Sequence, residues 1–480
     1  MEHNITVSGT VLTARSGENL LEVLRRNGMA PDAPCGGNGV CGKCRVRVNG
    51  QEVLSCQYAV TDDIAVAIPL KAKAEILTAG AAISVPVAPV REGYLAAFDI
   101  GTTTVVCFLL SPEGKELAVE SMLNPQQPFG ADVVSRIQRA VKGDREALTA
   151  LIRKGMTEIL ARCCEKAGII PEKIGVVSVV ANPCMQQLFM GMEVSNLAAI
   201  PFAPVITGAQ ILSAGDYLPI CANAALLVVP DISGYVGADT MGCVLATGMY
   251  QAVDTVLMVD IGTNGEMVLA HKGRMAACST AAGPALEGAN IQFGMRGSAG
   301  AIDHVTEAGC TVIGGGEAVG ICGSGLIDAV AMMLRKGILN KRGRVNTADH
   351  NYYLTDRIYL TQEDIRQVQM AKGAIAAGIR LLAEYLGITV EQIDRVILAG
   401  AFGSFMDPDS ACRIGLLPEE LRGKITAAGN IAGSGSKMLA LNGDQLALSQ
   451  RLVEKIEFLE LASQASFQRT FAKNMTFREG

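Results

Sequence analysis

The chain has 480 residues, 49% hydrophobic and 18% charged, more than a single core accommodates, so two or three domains are expected. A formal charge of −6 with no basic run makes nucleic acid a poor partner. Met1–Ala14 lacks the basic start and apolar core of a signal peptide, and no apolar run reaches the roughly 18–20 residues that cross a bilayer.

Fourteen cysteines without a secretion signal point to thiols and metal sites in a reducing cytoplasm, the expected location. Ile5 and Val7 alternate as in a strand, Asn19–Arg26 reads as a short helix, and strand-like runs follow at Arg45–Val48 and Ile64–Ile68. Among them Cys35, Cys41, Cys44 and Cys56 are spaced C-x5-C-x2-C-x11-C, with Gly36, Gly37, Gly39 and Gly42 between. Four thiolates can hold two irons, and glycines let backbone N–H groups approach the sulfurs, so a [2Fe–2S] cluster is expected on these cysteines. Zinc is the structural alternative, but a zinc site normally pairs two C-x2-C knuckles, and only one is present. The stretch resembles the plant-type ferredoxin family, with one extra residue between the first two cysteines. The other ten cysteines show no second cluster spacing; Cys163 and Cys164, about 100° apart on a helix-like run, read as small buried hydrophobes.

Residues 71–93 are rich in Ala, Val and Pro. Val85 and Ala88 each precede a proline, which favours extended backbone, and the stretch is read as a linker after a first unit at 1–70. Tyr94–Leu110 then gives strand, turn at Asp99–Thr103, and strand, followed by a turn at Pro112–Gly114. Thr255–Leu269 repeats the plan: Asp99, Ile100, Gly101 and Thr102 align with Asp260, Ile261, Gly262 and Thr263, 161 residues on. Thr103 aligns with Asn264. The repeat implies a duplicated fold whose lobes, 94–254 and 255–480, face a cleft. Helices are expected at Ala131–Val141, Arg145–Ala167 and Thr361–Tyr385, the last opening on a capping-box spacing at Thr361 and Asp364.

Each Asp-Ile-Gly-Thr turn sets a carboxylate at a strand end, a glycine that admits a phosphate, and donor side chains after it. A single such turn also makes ordinary hairpins; two on a duplicated scaffold suit a phosphate chain held from both sides, with Mg²⁺ on the carboxylates. Val396–Phe405 is an apolar strand entering a Gly/Ala turn, and Gly429–Lys437 is a small-residue turn before a helix-like run. Alone, each glycine-rich turn reads as a connector. Together they resemble the phosphate and adenosine motifs of the sugar-kinase/Hsp70/actin superfamily. The expected fold is therefore α/β: a small β-grasp ferredoxin-like domain plus a duplicated, two-lobed, ribonuclease H-like ATPase domain that binds ATP.

Longer stretches narrow the resemblance. Asn124–Ile137 (NPQQPFGADVVSRI), Ser233–Thr240 (SGYVGADT), Gly283–Ala289 (GPALEGA), Ile321–Asp328 (ICGSGLID) and Asp364–Ile375 (DIRQVQMAKGAI) stand in order along the chain. With the ferredoxin-like head they resemble the reductive activators of corrinoid proteins across essentially the whole chain. That resemblance implies ATP-dependent reduction of a Co(II) corrinoid to Co(I), with a corrinoid protein as acceptor and an upstream electron donor. It implies Asp99 and Asp260 on Mg²⁺ through water, Gly101, Thr102, Thr103, Gly262, Thr263 and Asn264 on phosphates, and Gly400, Gly403 and Gly433 near the nucleoside. Glu287 is expected either to orient the attacking water or, equally, to serve as a helix-start carboxylate. The sequence departs from the family where the linker runs almost directly into Asp99 with no intervening domain, and where Gln186 and Gln187 replace histidine-containing text. Another metalloenzyme acceptor, a redox-sensing ATP-binding protein and a small-molecule kinase stay open at this stage. Ala/Leu-rich helices suit a core or a homodimer interface.

Overall fold

A computed structural model of the chain describes residues 2–31, 33, 35–39, 41–69 and 76–478, so residues 71–75 of the expected linker lie outside the described residues. In the first unit the alternation at the N-terminus forms β1 (Glu2–Val7), which turns His3, Ile5 and Val7 inward, paired antiparallel with β2 (Thr10–Arg15). Asn19 caps α1 (Leu20–Arg26) by accepting hydrogen bonds from the N–H groups of Leu21 and Glu22. With β3 (Arg45–Val48), β4 (Gln51–Leu54) and β5 (Ile64–Ala67), the sheet runs β2-β1-β5-β3-β4. Strands β1 and β5 are parallel, the other pairs antiparallel, and α1 lays Leu20, Leu21 and Leu24 on Ile5, Val7 and Val46. This is a β-grasp with the cysteine loop at its rim.

The first lobe contains β6 (Tyr94–Ile100), β7 (Thr104–Leu110), β8 (Glu116–Leu123), α2 (Val133–Arg139), α3 (Arg145–Ala167), β9 (Ile174–Ala181), α4 (Pro183–Met190), β10 (Gln210–Ser213), β11 (Ala225–Val228) and α5 (Ala238–Thr247). Its sheet runs β8-β7-β6-β9-β11-β10. The second lobe contains β12 (Val256–Ile261), β13 (Gly265–His271), β14 (Arg274–Thr280), α6 (Gly323–Arg335), α7 (Gln362–Tyr385), β15 (Arg395–Ala399), α8 (Gly400–Phe405), β16 (Ile425–Ala427), α9 (Ile431–Leu441) and β17 (Ile456–Phe458). Its sheet runs β16-β15-β12-β13-β14-β17. In both lobes an antiparallel three-strand meander begins with the Asp-Ile-Gly-Thr strand, and two parallel strands continue from that strand's free edge. The duplicated two-lobed fold is present.

Strands β6, β7, β12 and β13 read as unbroken apolar runs because both faces of each sheet are covered. Ala96, Phe98 and Ile100 point to the layer that holds α3 and α4, while Leu95 and Ala97 point to the middle. Likewise Leu257 and Val259 face α6 and α7, and Val256 and Met258 face the middle. The middle layer is α5 and α9, so the order is helices, sheet, helices, sheet, helices. Helix α9 follows β16 yet packs on the first lobe's sheet, where Ser436 Oγ donates to Phe98 O at 2.9 Å.

The helix at 145–167 and the capping box at Thr361/Asp364 form as expected. The helix expected at Ala131–Val141 is shorter, starting at the Asp132 cap and passing through a wider turn, with Gly143 at φ 113°, into α3. Gly429–Lys437 also differs from expectation: only Gly429 makes a turn, and Ile431 onward is already α9. Its glycines serve packing. A Cβ on Gly435 would lie 2.1 Å from Gly242 O, so α5 and α9 touch backbone to backbone. Residues 76–90 lie along α9, where Asn430 N donates to Ala79 O at 2.8 Å and Ala88 N to Leu441 O at 2.8 Å. Among the described residues no helix is long and apolar enough to cross a membrane.

Candidate functional site

The two hairpin turns meet across the interlobe cleft. Asp99 and Asp260 are the penultimate residues of β6 and β12; Gly101 N donates to Thr104 O at 2.9 Å and Gly262 N to Asn264 O at 2.8 Å, closing both turns tightly. A cavity of about 260 Å³ is lined by Asp99, Gly101, Thr102 and Thr103 from one lobe and Asp260, Gly262, Thr263 and Asn264 from the other. The repeat thus converges in space.

Glu287 sits between the turns. Its carboxylate accepts from Thr103 Oγ1 at 3.1 Å and from Thr263 Oγ1 at 2.9 Å, which ties the lobes together. Both expected roles are compatible with this position: Glu287 is the acidic residue of the single turn Pro284–Glu287 that starts after Gly283, and its oxygens accept from the two hydroxyls. Gly400, in a left-handed conformation at φ +79°, lines the same cavity; a Cβ there would stand 2.5 Å from Asp260 Oδ1. Gly403 and Gly433 are not among the described lining residues, although their neighbours Phe402 and Ala432 are. Gly403 backs onto Leu398 within its own strand–helix corner, and Gly433 packs against the Phe108 ring and donates its N–H to Asn430 Oδ1 at 2.6 Å.

Several cleft residues escaped the sequence reading. Asp239, Glu266, Asn182 and Asn430 also line the cavity. Asn430 Nδ2 donates to Asp99 Oδ2 at 2.9 Å, and Asn182 Nδ2 to Thr102 Oγ1 at 3.0 Å. Asp239 and Asn430 lie within SGYVGADT and GNIAGSGSK, so the signal was present as a polar residue inside a small-residue motif. Asp99, Asp239, Asp260, Glu266 and Glu287 put five carboxylates on the cavity, and no lysine or arginine is among its described lining residues. Burial, then the neighbouring carboxylates, pushes Asp260 up to about 7; burial does the same to Asp99, against the Asn430 hydrogen bond. Asp239 is raised to about 6 by burial, and Glu266 well above its ordinary value by burial and then by Asp239 and Asp260. Such a set favours protons or a divalent cation.

The cleft opens into a second cavity of about 470 Å³ that shares Thr103, Thr104, Glu287 and Phe402 with the first. Its walls are largely apolar, with Leu286, Met295, Phe402 and Phe405, and the Gly323–Ser324 start of α6 forms one side.

At the β-grasp rim the four cysteines form two pairs. Cys41 hydrogen-bonds Cys35 and Cys56 hydrogen-bonds Cys44, with the Cys35 and Cys41 thiols near enough to Cys56 to act on it electrostatically. Burial, reinforced by these neighbours, pushes the Cys56 thiol up to about 12. The Lys43 N–H donates to the Cys41 sulfur, and Gly36, Gly37, Gly39 and Gly42 all have positive φ, between 64° and 93°, which curls the loop around the sulfurs. Four neighbouring thiols in a glycine-bent loop supply the two thiolates per iron that a binuclear cluster takes. The remaining cysteines are buried, apart from Cys221 and Cys310, which are half-buried.

Three family descriptions match the chain: the 2Fe-2S iron-sulfur cluster binding domain over residues 4–67, the RACo middle region over 94–252, and the C-terminal ASKHA domain of RACo over 254–480. The stretch read as the first lobe is thus the one matched as the middle region. The chain is 31% identical to the corrinoid activation enzyme RamQ of Eubacterium limosum, across 96% of this chain and 97% of the relative. It is 27% identical to the [Co(II) methylated amine-specific corrinoid protein] reductase of Methanosarcina barkeri, covering 80% of this chain and 77% of the relative. A solved structure titled as a reductive activator for corrinoid, iron-sulfur protein superposes with a TM-score of 0.74 at 25% identity, covering 99% of this chain and 98% of that one.

Proposed function

The chain belongs to the family of corrinoid activation enzymes, and from that premise we propose that it is an ATP-dependent reductase acting on the Co(II) corrinoid of a partner protein, returning the cobalt to Co(I). The observation that carries this reading is one chain holding both a paired-cysteine loop and a cleft with two facing Asp-Ile-Gly-Thr turns. When bound, a [2Fe–2S] cluster supplies a one-electron carrier. Cys35, Cys41, Cys44 and Cys56 hold it, and the loop glycines bring N–H groups towards the sulfurs.

In the cleft, Asp99 and Asp260 hold Mg²⁺ through water. The acid-lined cavity without a lining lysine or arginine supports this, because polyphosphate needs a cation to enter it. Gly101, Thr102, Thr103, Gly262, Thr263 and Asn264 take the phosphates, and Gly400 leaves space beside Asp260. The larger, apolar cavity takes the nucleoside, with Phe402 at the junction. Glu287 orients the attacking water, since it already bridges the hydroxyls on either side of the phosphate position. The chain divides into 1–70, a linker at 71–93, and lobes at 94–254 and 255–480.

Reduction to Co(I) is uphill from an ordinary ferredoxin. Nucleotide-driven lobe closure supplies the bias by favouring a docked state with altered cobalt ligation. The test is ATP consumed per electron delivered to a Co(II) corrinoid protein. Consumption in fixed proportion, without a phosphorylated small product, supports the activator; a phosphorylated product would make the protein a kinase.

A further inference from the structure

The segment Asn124–Gly130, between β8 and α2, is bonded on one side to the first phosphate turn and on the other to the cysteine domain. On the inner side Asn124 Nδ2 donates to Gly101 O at 2.8 Å, Gln127 Nε2 to Thr103 O at 2.9 Å, and Arg136 Nη2 to Thr102 O at 2.5 Å. All three carbonyls of the turn are therefore held from behind. Arg136 is fully buried, and its other bonds go to Gly130 O, Gln126 Oε1 and the Met185 sulfur.

On the outer side Arg25 Nε donates to Pro128 O at 2.6 Å, and the Phe129 ring is in reach of both the Arg25 and the Arg139 guanidinium groups, 5.5 and 5.7 Å from its centre. Glu22 pairs with Arg25 at 2.6 Å and with Arg139 at 2.9 Å. Gly36, next to Cys35, packs so closely that a Cβ would lie 3.3 Å from Phe129 O. The second lobe joins at two points: Arg296 Nη1 donates to Gln127 Oε1 at 3.0 Å, and Lys43 Nζ, within the cysteine loop, reaches Gly294 O at 3.5 Å.

Each carbonyl held from behind belongs to the same peptide unit as the N–H of the next residue in the turn. An anion accepting from those N–H groups polarises the carbonyls opposite and strengthens the bonds they accept. We propose that Asn124–Gly130, anchored by Arg136, couples the phosphate site to the seat of the cysteine loop, so that a bound nucleotide tightens the docking of the cluster domain. Gln127 and Arg136 are positioning residues in this device. It rests on the nucleotide reading of the cleft and extends that reading to the contact between domains.

Hydrogen exchange on the full-length, cluster-loaded protein, with and without a non-hydrolysable Mg–ATP analogue, tests the coupling. Nucleotide is expected to slow exchange in peptides over 101–104, 126–131 and 33–39, by roughly five-fold or more at the last. In Gln127→Met, nucleotide still protects 101–104, but the slowing at 33–39 is lost. In Glu22→Gln, a change on the domain surface, 33–39 exchanges fast with or without nucleotide. Protection of 101–104 in the wild type with unchanged exchange at 33–39 overturns the coupling and leaves the nucleotide site standing. Full slowing at 33–39 in Gln127→Met also overturns it. Absence of protection at 101–104 overturns the nucleotide reading and the coupling with it.

Discussion

Replacing Gly400 by alanine sets a methyl group against the carboxylate of Asp260. The residue has φ +79°, which costs an L-residue about 1–2 kcal/mol, and the new Cβ would lie 2.5 Å from Asp260 Oδ1. Ordinary contact begins near 3.4 Å, so the carboxylate must retreat by almost 1 Å. Overpacking of that kind adds about 1–3 kcal/mol, for a total near 2–5 kcal/mol. Gly248→Ala is the matched control: it shares the strain, at φ +62°, but nothing lies within 4 Å of its added Cβ, so only the conformational part is lost. If Asp260 holds the cation as proposed, a displacement of that size weakens Mg–ATP binding by about ten- to a hundred-fold, while the control binds as wild type. Thermal melts and titration with a fluorescent ATP analogue read both quantities. Gly400→Ala binding Mg–ATP with wild-type affinity would refute the placement of Asp260 at the cation.

Glu287→Gln should lower ATP turnover by about 10²–10³-fold with nucleotide affinity within a few-fold of wild type; steady-state phosphate release checks this, and unimpaired turnover would reduce Glu287 to an interlobe tie. Asp99 and Asp260 have folded pKa values of about 7 against 3.8 for an ordinary aspartate, so between these pH values the folded state binds more protons than the unfolded one. Stability without nucleotide or Mg²⁺ therefore falls as pH rises from about 4 through about 7, and Mg²⁺ should restore part of it at pH 8; melts that rise over this range would contradict the arrangement. Cys44→Ser and Cys56→Ser each take one thiol from the same pair, so both should abolish the [2Fe–2S] visible absorbance after reconstitution while ATP binding persists. An intact spectrum in either would remove that cysteine from the ligand set, and a wild type that reconstitutes without visible absorbance would return the loop to the zinc alternative.

What could be read from the sequence was local. The cysteine loop is contiguous text, and the repeated turn carries its carboxylate, glycine and donors within five residues, so both sites were visible before any tertiary structure. Asn182, Asp239 and Asn430 were not singled out, although the last two stand inside small-residue motifs, because the starts of α4, α5 and α9 converge on the cleft only in the tertiary fold; Glu266 lies two residues past the second turn, on β13, where its burial could not be read from the text. Gly403 and Gly433 stand one residue behind the cavity wall, and sequence could not show this, because a glycine that admits a ligand and one that admits a neighbouring chain look identical in sequence. Gly435 against Gly242 shows which need dominates in α9. The docking contacts of Glu22 and Arg25 carried no signal either, since charges on a short amphipathic helix ordinarily face solvent.

The most direct test of the central claim uses the cluster-loaded, reduced protein mixed anaerobically with a Co(II) corrinoid protein, with Co(I) absorbance followed with and without Mg–ATP. Co(I) appearing only with Mg–ATP, and lost in Cys44→Ser and Asp260→Ala, is the predicted result. No Co(I) across a panel of corrinoid partners, with cluster and ATP binding intact, would contradict the account and direct the electron to a different metalloenzyme.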